Sequence, residues 1–310
     1  MADYVVHHFT HTDLDGVGCA ILSKYMYDEN PEIDLDIKYC NYDTINEEVT
    51  QLLDEIGENN KKHRLILITD ISVNEEVAQR LDKLRLCDKL CIVMMFDHHQ
   101  LSREIRSYEW ATVDSSGANC GISLMYNYFF KDAPEGGGAA IFDFVRNVKL
   151  YDLWLFDPET HCIPLEYNML LYTFGKAYFE ELILHELFLY KDRPISFSTG
   201  WVRSFLDEQY ALIEEYLEKK SKEAQDVTFK DYKGKYVFAE KNQSRLGNRI
   251  LKDYPEADFA AIIAAPNYVS LRSRKDGVNV GEDIAKCFGG GGHPAAAGYT
   301  MPTPIVFTME

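Results

Sequence analysis

Three short apolar runs in the first hundred residues each end in acidic or histidine side chains. That recurrence limits the possible folds more than any other feature of the chain. The runs are Tyr4–Phe9 (YVVHHF), Leu65–Thr69 (LILIT) and Leu90–Phe96 (LCIVMMF). Their apolarity is continuous rather than alternating, the pattern of strands covered on both faces in a parallel sheet. Between them Val73, Val77, Leu81 and Leu84 recur at helical spacing, and Gly16–Tyr25 carries a similar stripe. This βαβ rhythm predicts an α/β protein: an N-terminal doubly wound, mostly parallel sheet, with a smaller α/β domain behind it. The expected boundaries are 1–195 for the first domain, 196–227 for a linker helix and 228–310 for the second domain. The linker carries Trp201, Phe205, Leu212, Ile213, Tyr216 and Leu217 on one side, with Ser198 or Thr199 available as its cap. YVFA (236–239), FAAIIAA (259–265) and YVSLRS (268–273) are the strands expected beyond it. Gly136–Gly138 reads as a surface loop.

Charge narrows the partners. The chain has 32 Lys and Arg against 50 Asp and Glu, a net charge of −18, which argues against coating long nucleic acid through a broad basic face. The excess is uneven: residues 229–275 hold ten basic and five acidic residues, a local +5, so the remainder carries −23. A compact basic lobe suits a ligand with few phosphates. With 46% hydrophobic and 26% charged residues, the composition excludes collagen-like, mucin-like and wholly disordered classes. The seven cysteines are an odd, scattered set. Their single close pair, Cys87 and Cys91, has no matching second pair, so reduced thiols of a cytoplasmic protein are expected rather than a structural zinc site. No apolar run approaches the ~18 residues of a membrane span, and Met1-Ala2-Asp3-Tyr4 has no basic leader, so neither a membrane nor a secretory destination is expected.

After the first run comes His11-Thr12-Asp13-Leu14-Asp15-Gly16, after the second Asp70, and after the third Asp97-His98-His99. The carboxyl ends of parallel strands face one crevice, so four Asp and three His converge there. Two carboxylates ~4 Å apart repel by about 4 kcal/mol at an effective dielectric of 20, and several together must protonate, separate or bind cations. Oxygen and imidazole ligands without thiolate favour Mn²⁺ or Mg²⁺. Carboxylates bridging two such ions are a means of hydrolysing phosphate esters. Taken singly, each Asp also suits a turn, and Asp13 or Asp15 suits a helix cap at Gly16; capping does not account for the recurrence. His7 and His8 lie inside a strand and read as packing residues.

The decapeptide Gly289-Gly290-Gly291-Gly292-His293-Pro294-Ala295-Ala296-Ala297-Gly298 exposes backbone N–H groups to an anion. Pro294 suits the first turn of a helix through the alanines, with His293 as a phosphate donor at its N-terminus. Arg272-Ser273-Arg274 and Ser244-Arg245-Leu246-Gly247-Asn248 supply basic neighbours whose guanidinium forks match phosphate oxygens.

Together these motifs resemble the DHH phosphoesterase family, specifically members with a C-terminal DHHA1 domain. The triplet Asp97-His98-His99 is the family's namesake, GGGGHPAAAG (289–298) matches the DHHA1 ending, and HTDLDGVGC (11–19) looks like the opening of the nanoRNase branch. The resemblance implies a two-Mn²⁺ site, with Mg²⁺ as the other candidate ion. His11 and Asp13 would ligate one ion, Asp15, His98 and Asp152 the other, and Asp70 would bridge. His99 would contact the scissile phosphate and Asp97 would orient the histidines. Arg245, Asn248, Arg272, Ser273, Arg274, Gly290, Gly291, Gly292 and His293 would hold the substrate. Many relatives space the first motif as H-x3-D-x-D, which falls on Phe9; here the order is H-x-D-x-D, which makes His11 the ligand and His8 its alternative. The implied activity is hydrolysis of short RNA oligonucleotides to mononucleotides. The alternatives are a 3′-phosphoadenosine 5′-phosphate phosphatase, a cyclic or linear dinucleotide phosphodiesterase, and a catalytically silent nucleotide-binding subunit. Whether the chain forms a homodimer is left open.

Overall fold

All three apolar runs are strands of one sheet. In chain order the first unit of the computed structural model comprises β1 (Tyr4–Thr10), α1 (Leu14–Tyr27), β2 (Ile33–Tyr39), α2 (Ile45–Ile56), β3 (His63–Thr69), α3 (Glu75–Cys87), β4 (Cys91–Asp97), α4 (Arg103–Arg106), β5 (Ala111–Val113), α5 (Gly121–Phe129), α6 (Ala139–Asp152), α7 (Ile163–Phe174) and α8 (Lys176–Leu189). The structure describes residues 4–56, 62–131, 138–157, 160, 162–197, 200–274 and 276–302. Ser198, Thr199, Gly136 and Gly137, named above as cap and loop, lie outside them.

The strand order is β2-β1-β3-β4-β5 and every pairing is parallel. The order reverses between β1 and β3, and such a switch point opens a crevice at the strands' carboxyl ends. One face of the sheet packs Phe9, Ile66, Ile68, Val93 and Met95 against Val49 of α2 and Val77, Ala78 and Leu81 of α3. Helix α1 is buried from Leu14 to Ser23, as a helix covered by other helices must be. Asp13 caps it, its carboxylate accepting from the Gly16 N–H at 3.1 Å.

The second unit starts at Thr199. It contains α9 (Gly200–Lys222), β6 (Gln225–Phe229), β7 (Tyr232–Phe238), α10 (Gln243–Asp253), β8 (Phe259–Ala264), β9 (Tyr268–Ser273), β10 (Gly291–His293) and β11 (Ala296–Thr300). Its six strands run in the order β10-β11-β9-β8-β7-β6, parallel only between β7 and β8. The helix expected as a linker belongs to this unit. Leu217 of α9 packs with Val237, Leu246, Ile250 and Ile262 in one core, and the Lys220 ammonium donates to the Phe238 carbonyl.

The glycine decapeptide departs from expectation. No helix runs through the alanines: β10 and β11 form a hairpin that pairs with β9. Close packing explains the glycines. A Cβ at Gly290 would lie 2.2 Å from the Gly298 carbonyl oxygen, and one at Gly292 (φ +141°) 2.6 Å from that of Ala296. Pairing with β9 overrides the local helical preference of the alanines. Among the described residues no helix is long and apolar enough to cross a membrane.

Candidate active site

The loop after β1 with the first turn of α1, the residue after β3, the end of β4 with the two residues that follow, and the end of α6 bring five carboxylates and three imidazoles together. Asp70 sits at their centre, 1% exposed. Its backbone is left-handed, φ +55°, a conformation that Asp tolerates better than most side chains. The turn aims one carboxylate oxygen each way: Oδ2 lies 3.7 Å from His11 Nδ1, and Oδ1 lies 3.3 Å from His98 Nε2. On one side His11 Nδ1 is also 2.9 Å from Asp13 Oδ2. On the other His98 Nε2 is 3.5 Å from Asp152 Oδ2 and 4.0 Å from Asp15 Oδ2. The candidate ligand atoms fall into three overlapping groups, His11–Asp13–Asp70, Asp15–His98–Asp152 and Asp70–His98–His99, each within 4.8 Å.

Proximity here does not mean hydrogen bonding. His11 Nδ1, both Asp70 oxygens, His98 Nε2 and Asp152 Oδ2 are buried and make no hydrogen bond. Buried polar atoms are rarely left so, and each one costs about 1–3 kcal/mol. Burial, and after it the neighbouring carboxylates, drives Asp15 far above the usual carboxylate range, and burial drives Asp70 there too. Burial likewise raises Asp152. His11, flanked by Asp13 and Asp70, is pushed up to about 10. Burial opposes the charge on Asp13, yet its contact with His11 outweighs this and holds it at about 2. The cluster requires positive charge. Its convergent lone pairs and lack of thiolate fit divalent cations with oxygen and nitrogen ligands. None of the seven cysteines forms a disulfide among the described residues, and burial raises the nearby Cys19 and Cys120 thiols well above their usual range.

The supporting hydrogen bonds are built into the backbone. Asp15 accepts from the N–H groups of Gly121 and Ile122, at 2.6 and 2.8 Å, so the N-terminus of α5 holds it. A Cβ at Gly121 would lie 2.8 Å from Asp70 Cβ and 2.9 Å from Asp15 Oδ2, so only glycine fits between them. Asp97 Oδ1 accepts from the backbone N–H groups of His98 and His99 and from His99 Nδ1, at 2.7, 3.1 and 2.7 Å. His99 Nε2 then faces the Tyr42 hydroxyl, 3.2 Å away. Burial, and after it the charges of Asp70 and Asp97, pushes the Tyr42 phenol up to about 12. Gly121 and Tyr42 carry no motif and escape sequence reading; only the fold brings them to the cluster.

His8, the alternative first ligand, is fully buried with both ring nitrogens engaged. Nε2 meets Thr69 Oγ1 at 2.7 Å and Nδ1 meets Ser23 Oγ at 2.9 Å. Thr69 donates to Thr10, and Thr10 donates to the Gly16 carbonyl. Thr69 therefore has no proton left for His8, which donates to it from Nε2. Burial lowers its pKa to about 3. His8 ties together the strand ends that carry His11 and Asp70, and it is not free to ligate.

In the second unit the expected substrate residues divide. The Arg245 side chain is buried on α10; Nη2 donates to Glu214 at 2.8 Å, while Nε and Nη1 have no hydrogen bond. Asn248 lies one turn on, half-buried. Arg272 donates to Ser244 Oγ and to the Leu271 carbonyl. Gly247 admits its stem, since a Cβ there would lie 2.6 Å from Arg272 Cγ. The register His293↔Ala296↔Arg272 sets His293 and Arg272 in one row across the sheet, hence on one face. Arg274 instead donates to the carbonyls of Ala257 and Leu251, at 2.6 and 2.5 Å, and Ser273 donates to those of Val278 and Pro294. The fold thus engages Ser273 and both Nη atoms of Arg274, whose residue is exposed. Of the glycines named as substrate-binding, Gly290 and Gly292 are committed to hairpin packing, while Gly291 has open space where a Cβ would be.

The family model described as "DHH family, N-terminal domain" matches residues 4–143. An oligoribonuclease, NrnB, of Bacillus subtilis (strain 168) is 31% identical over 304 residues, covering 96% of this chain and 73% of that protein. A 3′,5′-cyclic-nucleotide phosphodiesterase of Helicobacter pylori is 24% identical over 328 residues, covering 94% of this chain and 92% of that one. The crystal structure of an uncharacterized protein from Helicobacter pylori G27 shares the fold, with a TM-score of 0.50 at 21% identity over 96% of this chain and 93% of that one. The chain belongs to the DHH family of phosphoesterases, on the nanoRNase branch. DHH phosphoesterases are metal-dependent hydrolases.

Proposed function

We propose that this protein is a Mn²⁺-dependent phosphodiesterase that degrades short oligoribonucleotides to mononucleotides, with two ions at the edge of the first sheet. The observation that carries this reading is the set of five buried, unbonded ligand atoms in overlapping groups, with Asp70 3.7 Å from His11 on one side and 3.3 Å from His98 on the other. His11 and Asp13 would hold one ion, Asp15, His98 and Asp152 the other, and Asp70 both. Once bound, such ions supply an activated water and offset charge on the phosphate oxygens.

The chain's own residues set the rest. Asp97 accepts a hydrogen bond from His99 Nδ1–H, which fixes the ring and turns Nε2 toward where the scissile phosphate would lie. Gly121 and the α5 N-terminus hold Asp15 without a side chain in the way. In the second unit Arg245, Asn248, Arg272 and His293 would bind the remaining phosphates, with the backbone of Gly291 open to approach. Such a grip orients the substrate rather than reacting with it. A local charge of +5 suits a few phosphates and offers little to a long polyanion. The relative named as an oligoribonuclease spans nearly this entire chain and supports the same substrate class.

The second relative's name favours another reading, cleavage of a cyclic nucleotide. A panel of two- to five-residue RNA and DNA oligomers, cyclic nucleotides, dinucleotides and 3′-phosphoadenosine 5′-phosphate, with manganese and product mass as readout, separates them. The expected result is complete conversion of the RNA oligomers to mononucleotides, abolished by chelator. Turnover of a cyclic nucleotide with the oligomers left intact overturns the proposal.

A further inference from the structure

The sequence after Asp152 reads Leu153-Trp154-Leu155-Phe156, and here α6 ends in an unusual way. The Leu155 N–H donates to the Leu150 carbonyl at 2.8 Å and the Trp154 N–H to that of Tyr151 at 3.1 Å. This is a Schellman ending, in which the residue at the position of Trp154 adopts a left-handed conformation and is usually glycine. Trp154 adopts it with φ +54°. For a bulky side chain that conformation carries a steric cost, and such costs concentrate at functional sites. Burial does not repay it, since Trp154 is 41% exposed and Leu155 60%.

Two further aromatic rings hold the indole. Phe156 lies edge-on to Trp154 at 4.8 Å and stacks on Tyr151 at 5.7 Å with an interplanar angle of 15°. Tyr151 itself meets Trp154 at 6.2 Å. The cluster adjoins the acidic site covalently, because Asp152, 3.5 Å from His98, lies between Tyr151 and Trp154 in sequence. Burial first, then Tyr172, Asp13 and Asp152, push the Tyr151 phenol upward. An oriented, exposed aromatic surface beside a phosphate-cleaving site suits the flat face of a nucleobase, which hangs from its phosphate by a single ribose.

We propose that Trp154, braced by Tyr151 and Phe156, is a stacking platform for the base of the nucleotide whose phosphate lies at the carboxylate–histidine cluster. The inference rests on the phosphodiesterase reading above and adds a subsite that recognises any base by its face.

The test compares wild type, Trp154→Gly and Trp154→Phe on a diribonucleotide and on its abasic counterparts, with manganese. Trp154→Gly should raise KM for the diribonucleotide about 5- to 150-fold, the range of one base–aromatic stack, while Trp154→Phe retains most of the affinity. Losses from removing the indole and from removing the base should not add. Trp154→Gly should melt at or above the wild-type temperature, because glycine relieves the left-handed turn. An unchanged KM, or equal losses on base-bearing and abasic substrates, overturns the platform, as does a marked fall in melting temperature with those equal losses. A titration with AMP, read by tryptophan fluorescence, is independent of turnover. Quenching in wild type that is absent from Trp154→Phe supports the platform, and identical quenching in both contradicts it. Failure of the parent reading has a different signature, namely wild-type protein that leaves every oligoribonucleotide intact.

Discussion

At the edge of the first sheet, His11 Nδ1, both Asp70 oxygens, His98 Nε2 and Asp152 Oδ2 face one another, buried and with no hydrogen bond. In the second unit, two equally conspicuous motif residues are engaged by their own fold: Arg274 by the carbonyls of Leu251 and Ala257, Ser273 by those of Val278 and Pro294. The contrast teaches that membership of a motif does not define a role. An unsatisfied buried atom points toward a ligand, whereas a satisfied one stabilises the scaffold that presents it. Arg245 belongs with the first group, since two of its guanidinium nitrogens remain unbonded although it lies in the second unit.

The largest expected effect concerns Asp70. Asp70→Asn keeps a residue that tolerates φ +55° but removes the shared charge. Metal-dependent cleavage should fall at least about 100-fold. In chelator the variant should melt no lower than wild type, because an uncompensated buried carboxylate has been removed. A variant that retains turnover, or that loses it only by unfolding, breaks the comparison. Gly121→Ala comes next. The added methyl displaces Asp15 or Asp70 and should cost about 10- to 100-fold in metal affinity, the range seen for residues that support ligands, as measured by calorimetric titration with manganese.

The arginines sharpen the contrast within one lobe. Arg245→Ala should raise KM for a short RNA about tenfold. Arg274→Ala should leave KM within about twofold and lower unfolding free energy by about 1–3 kcal/mol, as urea denaturation would show. The opposite assignment of these effects would refute the distinction drawn from their hydrogen bonds.

What the sequence discloses and what it hides follow from the same physics. β1, β3 and β4 are legible because both their faces are covered. β2, IDLDIKY, alternates at the sheet edge, and β5 has only three residues, so neither stands out. The carboxylates and histidines are legible because each directly follows a readable strand. Asp152, at the end of a helix, needed the family pattern. The choice between His8 and His11 depended on Ser23 and Thr69, contacts 15 and 61 residues away that no local spacing encodes. The alanines after Pro294 carry a helical signal that pairing with β9 overrules. Gly121, Tyr42 and Trp154 lie in no motif, and only the folded chain brings them to the cluster or beside it.

The smallest expected effect is a pH dependence of stability from His8. Burial holds its pKa at about 3, against 6.5 for an ordinary histidine. As pH falls below about 6.5 the unfolded chain gains a proton that the folded chain refuses, so stability declines by up to about 1.4 kcal/mol per pH unit until about pH 3. Above that window His8 contributes no slope. His8→Gln should therefore reduce the loss between pH 6.5 and 5 by about 2 kcal/mol in urea denaturation. An unaltered slope would mean that His8 takes up its proton in the folded state.

The metal pair itself is tested most directly by anomalous diffraction at the manganese edge from crystals soaked in the ion. Two peaks are predicted, one bounded by His11, Asp13 and Asp70, the other by Asp15, Asp70, His98 and Asp152. Density maps with no peak there, and these side chains turned away from one another, would contradict it.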